Sequence, residues 1–242
     1  MDMCYALGVK RGELSSVNRT TMAQYRKATA VCAERIKGKP LDYITGYSEF
    51  YGLRIAVTPD VLIPRLDTEV VAETAIKAVK DMEKPVAVLD LMTGSGCIAA
   101  AVVDRTGANV TASDVSEKAL IVARANLERF KAKTVLSDGF DEIEGKFDVI
   151  VSNPPYIRSG EISSLDPEVT CQPALALDGG DDGLKFYRLI AEKAPEHLTD
   201  RGVLVLEIGY DQAADVTAIL ARKLYGRRGY KGFLRQRQGN KG

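Results

Sequence analysis

The sequence predicts an α/β fold, a doubly wound parallel sheet preceded by a small helical segment and a β-hairpin linker. Three observations carry that prediction: strand and helix patterns that alternate through most of the chain, a glycine turn directly after a buried apolar strand, and an Asn-Pro-Pro-Tyr turn at the end of a later one. At 242 residues the chain exceeds the usual single-domain size, which suits one full α/β unit with an accessory segment. The expected division is a helical segment over residues 1–42, a hairpin linker over 43–63 and the main domain over 64–242.

Residues 1–39 read as helical, with Met22, Tyr25, Thr29, Cys32 and Ile36 recurring three or four apart, and Gly38 with Pro40 closes the segment. Residues 43–63 mix aromatic and β-branched side chains around Gly46 and Gly52, which predicts a short hairpin over 49–55. After Pro64 a helical pattern runs over 68–82. Strand 86–91, a helix from Cys97, strand 110–113 and helix 117–130 then follow in the βαβ rhythm. Strands over 134–136, 147–152 and 203–208 extend the sheet. The stretch 222–242 holds eight basic residues and no acidic one, and is expected to be a solvated tail.

Composition narrows the function. Thirty-three basic residues balance thirty-three acidic ones, so no global field draws the protein to nucleic acid or an anionic membrane, and direct nucleic-acid binding is not expected. Four separated cysteines without a CxxC pair, and one histidine, offer no metal site; the thiols are expected to be reduced and buried. The N-terminus lacks an apolar signal region and no run approaches the roughly 18 apolar residues of a membrane span. The expectation is a cytoplasmic monomer.

Residues 86–96, Val-Ala-Val-Leu-Asp-Leu-Met-Thr-Gly-Ser-Gly, describe a buried strand entering a glycine turn and then a helix. Met92, Thr93, Gly94, Ser95 and Gly96 therefore sit where a backbone approaches a nucleotide-like cofactor and a helix N-terminus offers free N–H groups to its anionic end. Asp114 ends the next strand, eighteen residues beyond Gly96, where a carboxylate can accept both hydroxyls of a ribose. Gly94 to Ala99 also satisfies a G-x-G-x-x-A dinucleotide pattern, so a dehydrogenase is a competing reading. No downstream residues suggest hydride transfer.

The strand 147–152 delivers Asn153-Pro154-Pro155-Tyr156 to the carboxyl edge of the sheet. The two prolines fix φ and remove donors, so the Pro154 carbonyl can stand beside the Asn153 side-chain oxygen as a second rigid acceptor. Two fixed acceptors match an NH2 group. Holding both hydrogens turns the nitrogen toward an electrophile and stabilises charge developing on it, while Tyr156 can stack on the flat substrate group. With a sulfonium methyl donor, S-adenosylmethionine, the chemistry is N-methylation of an amide or exocyclic amine, and Asn153, Pro154 and Tyr156 are the candidate catalytic set.

These residues resemble the HemK/PrmC family of protein-(glutamine-N5) methyltransferases, class I S-adenosylmethionine-dependent enzymes with a Rossmann-like sheet. The resemblance spans about residues 40–212. It includes Pro40-Leu-Asp-Tyr-Ile-Thr-Gly46, Glu49-Phe-Tyr-Gly52, the Val61 to Glu69 segment around Ile63-Pro64-Arg65, the segment 173–183 and Leu206-Glu-Ile-Gly-Tyr-Asp-Gln212. It implies that Thr93 to Gly96, Asp114 and Asn153 contact S-adenosylmethionine, that Asp138 faces adenine, and that Asn153 to Tyr156 hold a glutamine with Arg65 and Glu69 on the rim. The implied partner is a class 1 peptide chain release factor carrying a Gly-Gly-Gln motif, and residues 64–242 become the catalytic domain. The sequence departs from the pattern at Met92, in place of the first loop glycine, at Leu66, in place of a proline, and at Gln172, in place of a glutamate. The helical lead-in is short, and the chain is expected to end before a final antiparallel strand. Two alternatives stay open: methylation of an exocyclic base amine in RNA or DNA, and a binding protein whose cofactor affinity Met92 has weakened.

Overall fold

A computed structural model describes residues 2–9, 11–17, 19–130, 132–224 and 231–236. The lead-in is not one helix. A first helix, α1 (Asp2–Leu7), and a 3-10 turn at Arg11–Ser16 precede α2 (Met22–Ile36), which starts at a reciprocal cap between Thr21 and Gln24. The apolar stripe predicted on this helix does not face the core: Met22, Tyr25 and Ile36 are 66%, 62% and 86% exposed, and Val31 is the buried residue of α2. Hydrophobic periodicity located the helix, but burial depends on which face finds a neighbour.

After α3 (Leu41–Thr45) the linker folds as β1 (Tyr47–Phe50) and β2 (Leu53–Ala56), an antiparallel pair around Tyr51 and Gly52. Both turn residues have positive φ, 51° and 77°, the conformation of a type I′ hairpin turn. Phe50, Leu53 and Ile55 point into the core, in the alternation a half-buried ribbon requires.

The main unit runs α4 (Leu66–Lys80), β3 (Ala87–Leu91), α5 (Cys97–Thr106), β4 (Asn109–Asp114), α6 (Glu117–Leu127), β5 (Lys133–Leu136), β6 (Phe147–Ser152), α7 (Pro167–Thr170), α8 (Lys185–His197), β7 (Leu198–Ile208), α9 (Ala213–Leu224) and β8 (Lys231–Gln236). The strand order is β5-β4-β3-β6-β7-β8, with every neighbouring pair parallel. Numbered from β3, this is the order 3-2-1-4-5-6, whose connections reverse direction between β3 and β6. One expectation is corrected here. The segment 222–242 is not simply a solvated tail, since Arg222 and Lys223 finish α9 and Lys231–Gln236 forms a strand; the remainder of the segment lies outside the described residues. That strand also closes the sheet, and it does so in parallel.

Alternation along the strands divides the core. Val88, Val149, Val151, Val203 and Val205 pack with α4, α5 and α6 on one face, while Leu89, Leu91, Ile150, Leu204 and Leu206 pack with α8 and α9 on the other. Central strands buried on both faces are what a parallel sheet demands. Of the four cysteines, all free, only Cys97 is buried; Cys32 and Cys171 are exposed and Cys4 is intermediate, against the expectation of uniformly buried thiols. No helix among the described residues is long and apolar enough to cross a membrane.

Candidate active site

Parallel sheets of this order open a crevice outside the carboxyl ends of the two strands that flank the reversal. Both sequence motifs fall there: the glycine turn follows β3 and Asn153 follows β6. Ser152 Oγ donates to the Leu91 carbonyl at 2.6 Å and ties the two strand ends together.

The turn is built by local bonds. Thr93 N–H donates to Ser113 O on β4 at 2.8 Å, and Thr93 Oγ1 donates at 2.5 Å to Asp90 Oδ2, which also accepts Ala99 N–H at 3.0 Å. Gly96 has φ 79° at the start of α5, a conformation that favours glycine, and a Cβ there would stand a tight 3.3 Å from the Ala123 Cα. Met92 has φ 61°, which shows that its position needs the left-handed conformation a glycine adopts freely. Asn126 of α6 links linker and turn: its amide donates to Ser95 O at 2.9 Å and exchanges bonds with the Ala56 N–H and carbonyl of β2 at 2.8 and 3.0 Å.

Asp114 stands at the end of β4, where Oδ2 accepts Gly94 N–H and Oδ1 accepts Ser116 N–H, each at 2.9 Å. Burial raises its pKa above the ordinary carboxylate value, against the lowering by these N–H bonds. Asp90, 1% exposed, is pushed up to about 7 by burial. Its Oδ1 and the Ser113 Oγ have no hydrogen-bond partner. Ser113 lies on the cavity wall, so a cofactor bringing polar groups to this turn fits the one buried hydroxyl there that lacks a partner.

One cleft gathers most of the predicted residues. Arg65, Met92, Thr93, Gly94, Ser95, Asp114, Asp138, Asn153 and Pro155 all line it. Gly96 lies behind the lining, at the cap of α5. Glu69 does not join the others: its Oε1 accepts the Tyr51 N–H at 2.7 Å and so secures the hairpin turn, which gives it a structural task in place of a rim contact. Pro154 is buried, and Tyr156 is held from two sides, its hydroxyl donating to Glu207 Oε1 at 3.4 Å and its carbonyl accepting from Gln212 Nε2 at 2.9 Å. The Tyr156 ring packs against the core beneath α8 and is not part of the cleft wall, contrary to the stacking role expected for it. His197 stacks on Phe140 with ring centroids 5.0 Å apart and stays outside the cleft.

Sequence reasoning missed several residues. Thr68 lines the cleft and accepts from Asn153 Nδ2 at 3.1 Å, and the buried Glu207 stands behind it. A carboxylate inside the apolar strand run 203–208 was the available signal for Glu207. The segment 173–183 backs the Asn-Pro-Pro-Tyr turn: Ile157 N–H donates to Leu177 O at 3.0 Å and Gly179 N–H to Ile157 O at 2.8 Å. Gln172, the departure from glutamate, accepts the Ile63 N–H at 3.0 Å and donates to Glu168 O at 2.8 Å, so an amide serves both bonds.

A glycine turn after β3, a carboxylate at the end of β4 and Asn153 after β6 line one cleft at the reversal point of a parallel sheet, where α/β enzymes of the methyltransferase class bind their ligands. Residues 71–166 match the methyltransferase small domain family. Among solved structures, the ribosomal protein L11 methylase of Lactobacillus delbrueckii subsp. bulgaricus superposes with a TM-score of 0.50 at 23% identity, covering 70% of this chain and 74% of that one. A SAM-dependent methyltransferase of Agrobacterium tumefaciens gives 0.51 at 19% identity, covering 71% and 54%; these two likenesses establish the fold. The release factor glutamine methyltransferase of Geobacter sulfurreducens is 46% identical over 195 residues, 78% of this chain and 68% of the relative. That of Agrobacterium fabrum is 41% identical over 210 residues, 83% and 73%. The chain belongs to the release factor glutamine methyltransferase family.

Proposed function

We propose that this protein transfers a methyl group from S-adenosylmethionine to the side-chain amide nitrogen of the Gly-Gly-Gln glutamine in a peptide chain release factor, a modification of the translation termination machinery in the cytoplasm. The observation that carries the reading is the anchoring of Asn153. Its Nδ2 is engaged by Thr68, which leaves Oδ1 as the acceptor available to a substrate N–H at the edge of the cleft.

S-adenosylmethionine supplies an electrophilic methyl group on a sulfonium. On the protein side, the Thr93 to Gly96 turn and the N-terminus of α5 would receive the methionine carboxylate, Asp114 would accept the ribose hydroxyls, and Asp138 would stand at the adenine end. Asn153 Oδ1 and the Pro154 carbonyl hold the two amide hydrogens of the substrate. That grip fixes the plane of the amide, directs nitrogen electron density along the line of transfer, and stabilises positive charge as it appears on nitrogen. Transfer would form the N–C bond as the S–C bond of the cofactor breaks, and the amide proton would leave to solvent. Tyr156 contributes by fixing the turn from behind. Arg65 is the cationic rim residue facing the incoming chain.

The test is incubation with labelled S-adenosylmethionine and a release factor, with total RNA and DNA in parallel. Label on the Gly-Gly-Gln glutamine is expected. Label on nucleic acid alone would favour the base-amine reading, and no label with no S-adenosylhomocysteine binding would favour a binding protein.

A further inference from the structure

Asn153 presents either its oxygen or its NH2 group to a substrate, depending on a half-turn of its amide that costs nothing by shape. Only the oxygen accepts a substrate N–H. What sets the orientation lies two bonds away. Asn153 Nδ2 donates to Thr68 Oγ1 at 3.1 Å, and Thr68 Oγ1 donates to Glu207 Oε2 at 2.7 Å. Thr68 is 3% exposed and Glu207 2%, so water does not compete for either bond. The other carboxylate oxygen, Oε1, receives the Tyr156 hydroxyl at 3.4 Å, and Tyr187, 0% exposed, donates to the Glu207 carbonyl at 3.0 Å.

We infer that Glu207 and Thr68 are positioning residues that fix the polarity of Asn153. With Glu207 ionised, its carboxylate accepts and does not donate. The single Thr68 proton is therefore spent on Glu207, and the Thr68 lone pair facing Asn153 can only accept. The amide must then turn its NH2 inward and its oxygen toward the cleft. The relay spans three elements, the first turn of α4, the end of β6 and the end of β7. Tyr156 shares the same carboxylate, so one buried group orients one end of the Asn-Pro-Pro-Tyr turn and clamps the other. This inference rests on the glutamine reading above and adds how its key acceptor is aimed.

Thr68→Val keeps the shape of the side chain and removes both bonds, while Thr68→Ser keeps the hydroxyl. Steady-state transfer to a release factor is measured for both, alongside S-adenosylhomocysteine affinity by calorimetry and thermal unfolding. Thr68→Val is expected to lower kcat by about 100-fold, the scale of losing one aimed polar contact at a reacting centre. Its cofactor affinity and KM should stay within about threefold and its Tm close to wild type, and Thr68→Ser should recover most of the lost turnover. Glu207→Gln, which brings a donor to the end of the relay, should also lower kcat. A Thr68→Val enzyme with more than a third of wild-type kcat, or one that loses turnover in step with cofactor affinity and Tm, overturns the relay. No label from the wild-type enzyme removes the glutamine reading and the relay together; label from wild type with undiminished Thr68→Val turnover removes the relay alone.

Discussion

Met92 holds a left-handed backbone conformation at φ 61°, which costs an L-residue about 1–2 kcal/mol relative to glycine, and its side chain lines the cofactor cleft. Met92→Gly should therefore tighten S-adenosylhomocysteine binding in calorimetry; an unchanged affinity would mean that the side chain already stands clear of the ligand. Asp90 makes a second residue-scale prediction. Burial raises its folded pKa to about 7, above the ordinary carboxylate value, so the fold favours the protonated form. That contribution is complete below the unfolded pKa and is lost as pH rises through about 7. Asp90→Asn cannot titrate, so its Tm relative to wild type should climb between pH 4 and 7 and then level off, and a pH-independent difference would contradict the assignment. The strand-turn-helix motif, Asp114 and Asn153 were legible in sequence because each depends on neighbours in the chain. Thr68 and Glu207 were not, since their contact joins residues 139 apart in sequence.

At the scale of elements, the Asn-Pro-Pro-Tyr turn is rigid because another loop lies against its backbone. A Cβ on Gly179 would stand 2.7 Å from the Tyr156 Cα and 2.9 Å from the Pro155 carbonyl oxygen, so two main chains meet where no side chain fits. Gly179→Ala should displace the turn and reduce methyl transfer by about 10-fold or more while S-adenosylhomocysteine still binds, in keeping with the sensitivity of oriented reactions to small displacements. Loss of cofactor binding as well would place the damage in the whole cleft. The segment 173–183 could be recognised by its residues, yet its task of backing the turn follows from a close approach that local patterns do not encode. Helix α2 teaches the reverse. Its periodicity was read correctly, but the stripe of Met22, Tyr25 and Ile36 is exposed because amphipathicity names a face without naming what covers it.

For the molecule as a whole, strand order is what turns separate motifs into a site. Reversal between β3 and β6 places the cofactor turn and the substrate turn side by side, and Ser152 bonds the two strand ends across that boundary. The alternating rhythm of the chain made the doubly wound sheet legible, including its five strands from β3 to β7. The sixth strand was obscured by a basic, glycine-containing segment that composition reads as tail, and it joins the sheet in parallel with β7. The hairpin linker is bound into the same unit through Asn126, which also holds Ser95 of the cofactor turn, and through Glu69. The central claim is that Asn153, aimed by its anchors, presents a glutamine nitrogen to an activated methyl group. Mass spectrometry of a release factor after incubation with S-adenosylmethionine and either wild-type protein or Asn153→Ala tests it most directly. The account predicts one added methyl on the Gly-Gly-Gln glutamine with wild type and almost none with the variant, although the variant still binds S-adenosylhomocysteine. Equal methylation of that glutamine by both proteins would contradict it.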